Sequence, residues 1–170
     1  MADISAPDSR SIRQLSAADA RAASSILLDA ATWSAAHHAP LWSTTEVSSD
    51  ACLLWARHGS LYGGFDRDEL AAVFCVHDVD TLYWPDSDVG DALYLHKIAV
   101  QVQSMGRGWL ANILTWAEGE AKRRNTPRLR LDTLAHSRLV ALYESYGFSV
   151  VYPEPLAIGG RVIERLERIL

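Results

Sequence analysis

The stretch Ala92-Leu93-Tyr94-Leu95-His96-Lys97-Ile98-Ala99-Val100-Gln101-Val102-Gln103-Ser104-Met105-Gly106-Arg107-Gly108-Trp109-Leu110 decides the fold. Up to Val100 it is a mostly apolar run ending in β-favouring residues, without Gly or Pro, which predicts a strand covered on both faces. After Gly106-Arg107-Gly108 the apolar residues Leu110, Ile113, Leu114, Ala117 and Ala121 recur on one helical face. A strand therefore passes into a helix through glycines. The first N–H groups of a helix lack intrahelical partners and carry the positive end of its dipole, so this junction is a candidate phosphate site. A tight turn with no ligand is the competing reading of two glycines. The chain lacks both the glycine-rich dinucleotide fingerprint and the Gly-Lys-Ser/Thr phosphate loop.

A second strand and helix follow. Arg128-Leu129-Arg130-Leu131-Asp132 alternates as a strand, and the segment from His136 to Tyr146 reads as a helix stopped by Gly147. Together, Tyr94 to Val100, Gly106-Arg107-Gly108, Leu129 to Asp132, and Leu142-Tyr143-Glu144 with Gly147-Phe148 resemble the acyl-CoA-dependent N-acyltransferase (GNAT) superfamily. The specific match spans Asp91 to Val151. The resemblance implies a mixed α+β fold of the α/β type. Its central twisted, mostly antiparallel sheet would have about six to seven strands and about four flanking helices, splayed between the strands ending near Val100 and Asp132.

Composition sets the outer bounds. A chain of 170 residues suits one domain, residues 1–170, with a frayed polar start over residues 1–10. The net charge of −5 argues against nucleic-acid binding, which needs a concentrated basic surface. Cys52 and Cys75 suggest neither a disulfide framework nor a thiolate metal site; buried free thiols are expected. Adjacent His37 and His38 lack the spacing that puts two ligands on one helical face, so no metal is expected. With no apolar run near the ~20 residues of a membrane helix and no secretion signal, the expectation is a cytoplasmic protein with no membrane partner; a homodimer stays open.

In chain order, Ser11 to Leu15 reads as an edge strand, and Ser16 caps a helix reaching Ala36 whose Ala23, Ile26, Leu27 and Ala30 face the core. Ser43 and Glu46 form a capping-box pattern, which predicts a second helix from there to Gly59 with Val47, Ala51, Leu54 and Trp55 inward. Leu61 to Phe65 and Glu69 to His77 flank Asp66-Arg67-Asp68 as a hairpin. The following loop carries Asp78, Asp80, Asp86, Asp88 and Asp91 in a register that does not match a calcium loop. It reads as a solubilising loop or as an acidic rim that attracts a cationic amine. Val150-Val151-Tyr152 and the run from Arg161 to Leu170 complete the sheet.

The resemblance also implies a chemistry: acetyl-CoA as co-substrate, no metal, and a primary amine on a small molecule or peptide as acceptor. Backbone groups of Ile98, Ala99 and Val100 would bond the pantetheine arm, and those of Met105, Gly106, Arg107, Gly108, Trp109 and Leu110 the pyrophosphate. His136 stands where the family has an asparagine, Met105 where it has Arg or Gln, and Leu110 where it has Gly or Ala. Tyr143 lies where a tyrosine protonates the departing thiolate, and a phenol of pKa near 10 suits that task. His96 matches the strand of arylalkylamine acetyltransferases, whose histidine is a base through water; a structural histidine is the equal alternative. Trp33, Trp42, Tyr94 and Asp91 are the acceptor-binding candidates. A non-catalytic acyl-CoA-binding or protein-interaction domain on the same scaffold is the alternative function.

Overall fold

In a computed structural model, residues 10–37 and 39–170 are described. Residues 1–9, expected as a polar terminus, and His38 of the histidine pair lie outside the described residues. The elements are β1 (Arg10–Gln14), α1 (Ala20–Ala36), α2 (Ser49–Arg57), β2 (Leu61–Asp66), β3 (Glu69–His77), β4 (Leu93–Val100), α3 (Trp109–Arg123), β5 (Arg128–Leu134), α4 (Arg138–Ser145), β6 (Ser149–Val150), β7 (Leu156–Ile158) and β8 (Arg161–Ile169). They form an eight-stranded sheet ordered β1-β2-β3-β4-β5-β8-β6, with β7 also paired to β8. Only β4 and β5 run parallel; every other neighbouring pair is antiparallel. The mixed, mostly antiparallel sheet matches the expectation, and the eighth strand comes from the short β7, which pairs with β8 around Gly159-Gly160.

Burial explains why β3 is apolar throughout. Ala72, Phe74 and Val76 point to one face, where Ile113, Leu114, Ala117 and Ala121 of α3 cover them. Val73 and Cys75 point to the other, against Ala23, Ile26 and Leu27 of α1 and Cys52 of α2. A strand sandwiched between helices must be apolar at both parities. Both cysteines are buried free thiols.

The second helix begins later than its capping box suggests. Ser43 and Glu46 do exchange the two bonds, Ser43 N to Glu46 Oε2 at 2.8 Å and Glu46 N to Ser43 Oγ at 3.2 Å. They close an isolated turn, and the other oxygen of Glu46 pairs with Arg161 at 2.8 Å. Val47 is fully buried by the turn, and Ser48 is the working cap, accepting from Ala51 N at 3.3 Å. Leu54, expected inward, is 52% exposed.

Two features of β4 position the site. Its parallel pairing with β5 covers Leu93–Leu95 against Leu129–Leu131, and beyond that the strands part. On the β3 side, Val73 pairs with Ala99 but Cys75 pairs with His96, so β4 carries one extra residue in a bulge. Lys97 there has φ 55°, a left-handed backbone that costs a non-glycine residue about 1–3 kcal/mol. At the other end of the unit, Trp109 opens α3 with its ring buried against Gly64, where a Cβ would come within 2.5 Å of the indole. Gly64→Ala should therefore destabilise the fold by about 1–3 kcal/mol through overpacking. Gly119→Ala, on the exposed face of α3 with open space around its Cβ, should stabilise it by about 0.5–1 kcal/mol. Chemical denaturation of the two variants should show these opposite signs.

Candidate active site

Where β4 leaves β5, a groove of ≈ 520 Å³ opens along the strand edge. Ile98, Ala99, Val100, Met105, Gly106, Gly108, Trp109, Leu110 and Tyr143 border it, as the sequence reading expects. Gly106 and Gly108 have φ of 73° and 79°, and a Cβ on Gly106 would meet nothing within 4 Å. The turn is thus open to solvent at the start of α3, where free N–H groups face outward. The edge of β4 that faces β5 is unpaired beyond Leu95, and the start of α3 borders the same groove. Of the contacts expected from the family pattern, Arg107 is exposed beside the groove. His136 is exposed at φ 59° and does not border the groove, and the N-cap of α4 is Ser137.

Behind the groove lies an enclosed cavity of ≈ 130 Å³ between β4 and β5. Ile98, Leu139, Leu41 and Tyr143 line both spaces. Tyr143 is 8% exposed, and burial first, then the negative charge of Asp132, pushes its phenol pKa upward. Its proton is thus retained across the neutral range. A third space of ≈ 340 Å³ opens on the far side and shares Tyr83, His96 and Lys97 with the cavity.

His96 is held between two carboxylates, with Nε2 3.3 Å from Asp80 and Nδ1 3.2 Å from Asp132. Burial opposes its charge, but the contacts to Asp132 and Asp80 outweigh that and push its pKa up to about 9. The expectation of a neutral imidazole base near pH 7 meets an arrangement in which two carboxylates favour the imidazolium. Asp80 is held below the ordinary carboxylate range: burial opposes its charge, and His96 and the backbone N–H groups of Tyr83 and Leu82 outweigh it. Although Asp80, His96 and Asp132 lie within 4.8 Å of one another, the carboxylates face different ring nitrogens. One ligand atom from each of the three residues lies within this range, so the cluster could hold a cation in place of the imidazolium contacts.

The acceptor candidates separate. Trp42 borders the inner cavity, with the Lys97 ammonium 5.2 Å from its ring. Trp33 is 57% exposed, stacks on His37 and borders the donor-side groove instead. Tyr94 is wholly buried; its hydroxyl accepts from Arg130 at 2.9 Å and its ring packs on Trp84, which removes it from the cavity. Asp91 closes a loop turn by accepting from Asp88 N at 3.3 Å, and borders none of the three spaces. Asp80 is the member of the acidic loop that reaches the site. Sequence reasoning missed Glu46, Lys97, Asp132 and Arg161, although Lys97 and Asp132 sit inside the motif strands; charges in an apolar strand were the available signal.

No family model matches the chain. An uncharacterized N-acetyltransferase from Bacillus subtilis strain 168, YesJ, is 30% identical over 140 residues, covering 76% of each chain. The chain belongs to the GNAT superfamily. It is an acyltransferase of that family. A GNAT acetyltransferase from Listeria monocytogenes 4b F2365 superposes with a TM-score of 0.75 at 19% identity, covering 95% of both chains. YncA from Salmonella typhimurium, a putative acetyltransferase solved with its cofactor acetyl-CoA, gives 0.71 at 19% identity, covering 95% of this chain and 94% of that one. Within this GNAT fold, no described helix is long and apolar enough to cross a membrane.

The clamped histidine links pH to stability. Its pKa rises on folding from an ordinary 6.5 to about 9, so its contribution is complete below 6.5 and lost as pH climbs through 9. Beside the carboxylates, the ring meets His77, Tyr83 and the neighbouring Lys97. Wild-type Tm should fall between pH 6.5 and 9 by more than that of His96→Gln, which titrates nothing there. Parallel Tm profiles for the two proteins would remove the imidazolium assignment.

Proposed function

We propose that this enzyme transfers the acetyl group of acetyl-CoA directly to the primary amine of a small molecule bound in the cavity between β4 and β5. Carrying this reading is the position of Tyr143 on the wall common to the donor-side groove and the inner cavity. The thioester supplies an activated acetyl group; everything else falls to the chain. The edge of β4 that faces β5 holds the pantetheine from Ile98 to Val100, beyond the last β5 pair, and the open turn at Gly106 and Gly108 receives the pyrophosphate. The acetyl-CoA in the Salmonella relative supports the same occupant here.

On the acceptor side, Asp132 is a carboxylate that lines the cavity, and it receives the ammonium. The free amine forms the N–C bond as the C–S bond breaks. The bound ammonium first loses one proton to Asp132 and on to water, which makes the free amine; the second proton, surplus on nitrogen once the N–C bond forms, leaves by the same route, while Tyr143 gives its proton to sulfur and regains one from solvent. His96 acts through Asp132: its Nδ1–H contact fixes the carboxylate's orientation, which makes it a positioning residue.

The donor assignment is tested at the turn. Gly108→Val should raise the dissociation constant of acetyl-CoA, read by calorimetry, because a branched side chain would fill the approach to the helix start. An unchanged constant in a folded variant would remove the phosphate site. Tyr143→Phe should keep the fold and the donor affinity while kcat falls by roughly 10²–10⁴, the usual worth of a positioned acid. Full activity in that variant would return Tyr143 to a packing role.

A further inference from the structure

The charges around the inner cavity are not paired one to one. Glu46 is shared by two cations, Arg161 at 2.8 Å and Lys97 at 3.7 Å, and it also accepts from Ser43 N. His96 is shared by two carboxylates, Asp80 and Asp132. One end of the cavity thus carries a surplus positive charge and the other a surplus negative charge, while the whole is balanced.

Lys97 is the more exposed fault. Its side chain retains 17% exposure, it stands over the Trp42 ring at 5.2 Å, and its only carboxylate contact, at 3.7 Å, is beyond hydrogen-bond reach. Among the described residues its ammonium has no hydrogen-bond partner. In a regular strand, adjacent His96 and Lys97 would face opposite sides of the sheet. The bulge and the left-handed backbone at Lys97 bring both into one cavity. A strained backbone that delivers to a cavity an ammonium whose one ion pair is longer than a hydrogen bond is an arrangement suited to an incoming anion.

We infer that the acceptor is a short zwitterion, an α-amino acid or a similarly small amino-carboxylate, with its ammonium at Asp132 and its carboxylate at Lys97 and the outer edge of the Arg161 guanidinium. Arg161 comes from the Gly159-Gly160 turn and reaches Leu41 O and Glu46, so it ties the β7–β8 hairpin to the α1–α2 connection above the same cavity. A plain alkylamine satisfies only the Asp132 end and leaves Lys97 desolvated. A polyamine places a second cation against Lys97 and Arg161. A zwitterion answers both ends and adds no net charge to a buried space.

This inference rests on the transferase reading, and one experiment separates their failures. Thiol release from acetyl-CoA is followed with the common L-amino acids, their amides, and the matching decarboxylated amines. The preferred amino acid should exceed its amide and its amine by about tenfold or more in kcat/KM, the usual worth of a hydrogen-bonded charge. Lys97→Met should lower kcat/KM for the amino acid about 10–100-fold, mainly through KM, with Lys97→Arg restoring part of it. Equal use of the amide or amine, or a preference that survives in a folded Lys97→Met protein, overturns the zwitterion while leaving the transferase intact. If no acceptor releases thiol, the transferase reading fails, and calorimetric titration of the amino acids into the protein with coenzyme A decides the rest. Binding of an amino acid but not its amide upholds the dipolar cavity; no binding overturns it.

Discussion

The site depends on the parting of β4 and β5. Two parallel strands that begin in register, Leu93 with Leu129 through Leu95 with Leu131, cease to pair exactly where the apolar core gives way to charged side chains. Backbone N–H and C=O groups freed in this way are costly if buried and unmet, so a gap in a central sheet calls for an occupant or for water. Here the gap has an apolar groove on one side and a charged cavity on the other. The bulge on β4 is the companion constraint: the strand stays paired to β3 while its side chains are re-aimed into the opening.

Buried charge is the second organising cost. Glu46, Lys97, Asp80, His96, Asp132 and Arg161 come from distant parts of the chain and meet within a few ångströms. No pair among them is worth its desolvation alone, and the surplus on each side is tolerable only because the two ends offset one another. The cluster also sets protonation. Two carboxylates turn His96 from a physiological switch into a standing cation, and burial beside Asp132 keeps Tyr143 protonated.

Fold and donor side were largely legible, and for a local reason. Helix faces, the β2–β3 hairpin, the glycines of the turn and the stop at Gly147 all follow from rules acting over a few residues. One displaced boundary is instructive: the Ser43 and Glu46 bonds form as read, but they close a turn, and the helix begins at Ser49 behind the Ser48 cap. Trp33 and Tyr94 do not border the inner cavity, since strand parity and loop position say which way a residue starts, not what it meets. Tyr94 meets Arg130 and Trp84, and Trp33 faces the donor side.

By itself the sequence determined, through periodicity and backbone freedom within short windows, an α+β scaffold with a glycine turn ahead of α3 and a tyrosine in α4, and through its resemblance to a known family the acyltransferase class. Only the tertiary structure decided the acceptor side. The charge on His96, the pairing of Lys97 and Arg161 with one carboxylate, and the exclusion of Tyr94 from the cavity are set by through-space electrostatics and packing between residues remote in the chain. A single bulge at Lys97 exchanges which face of β4 a side chain serves. Such a bulge leaves no mark in hydrophobic periodicity, because one inserted residue changes the aim of the strand without changing its composition.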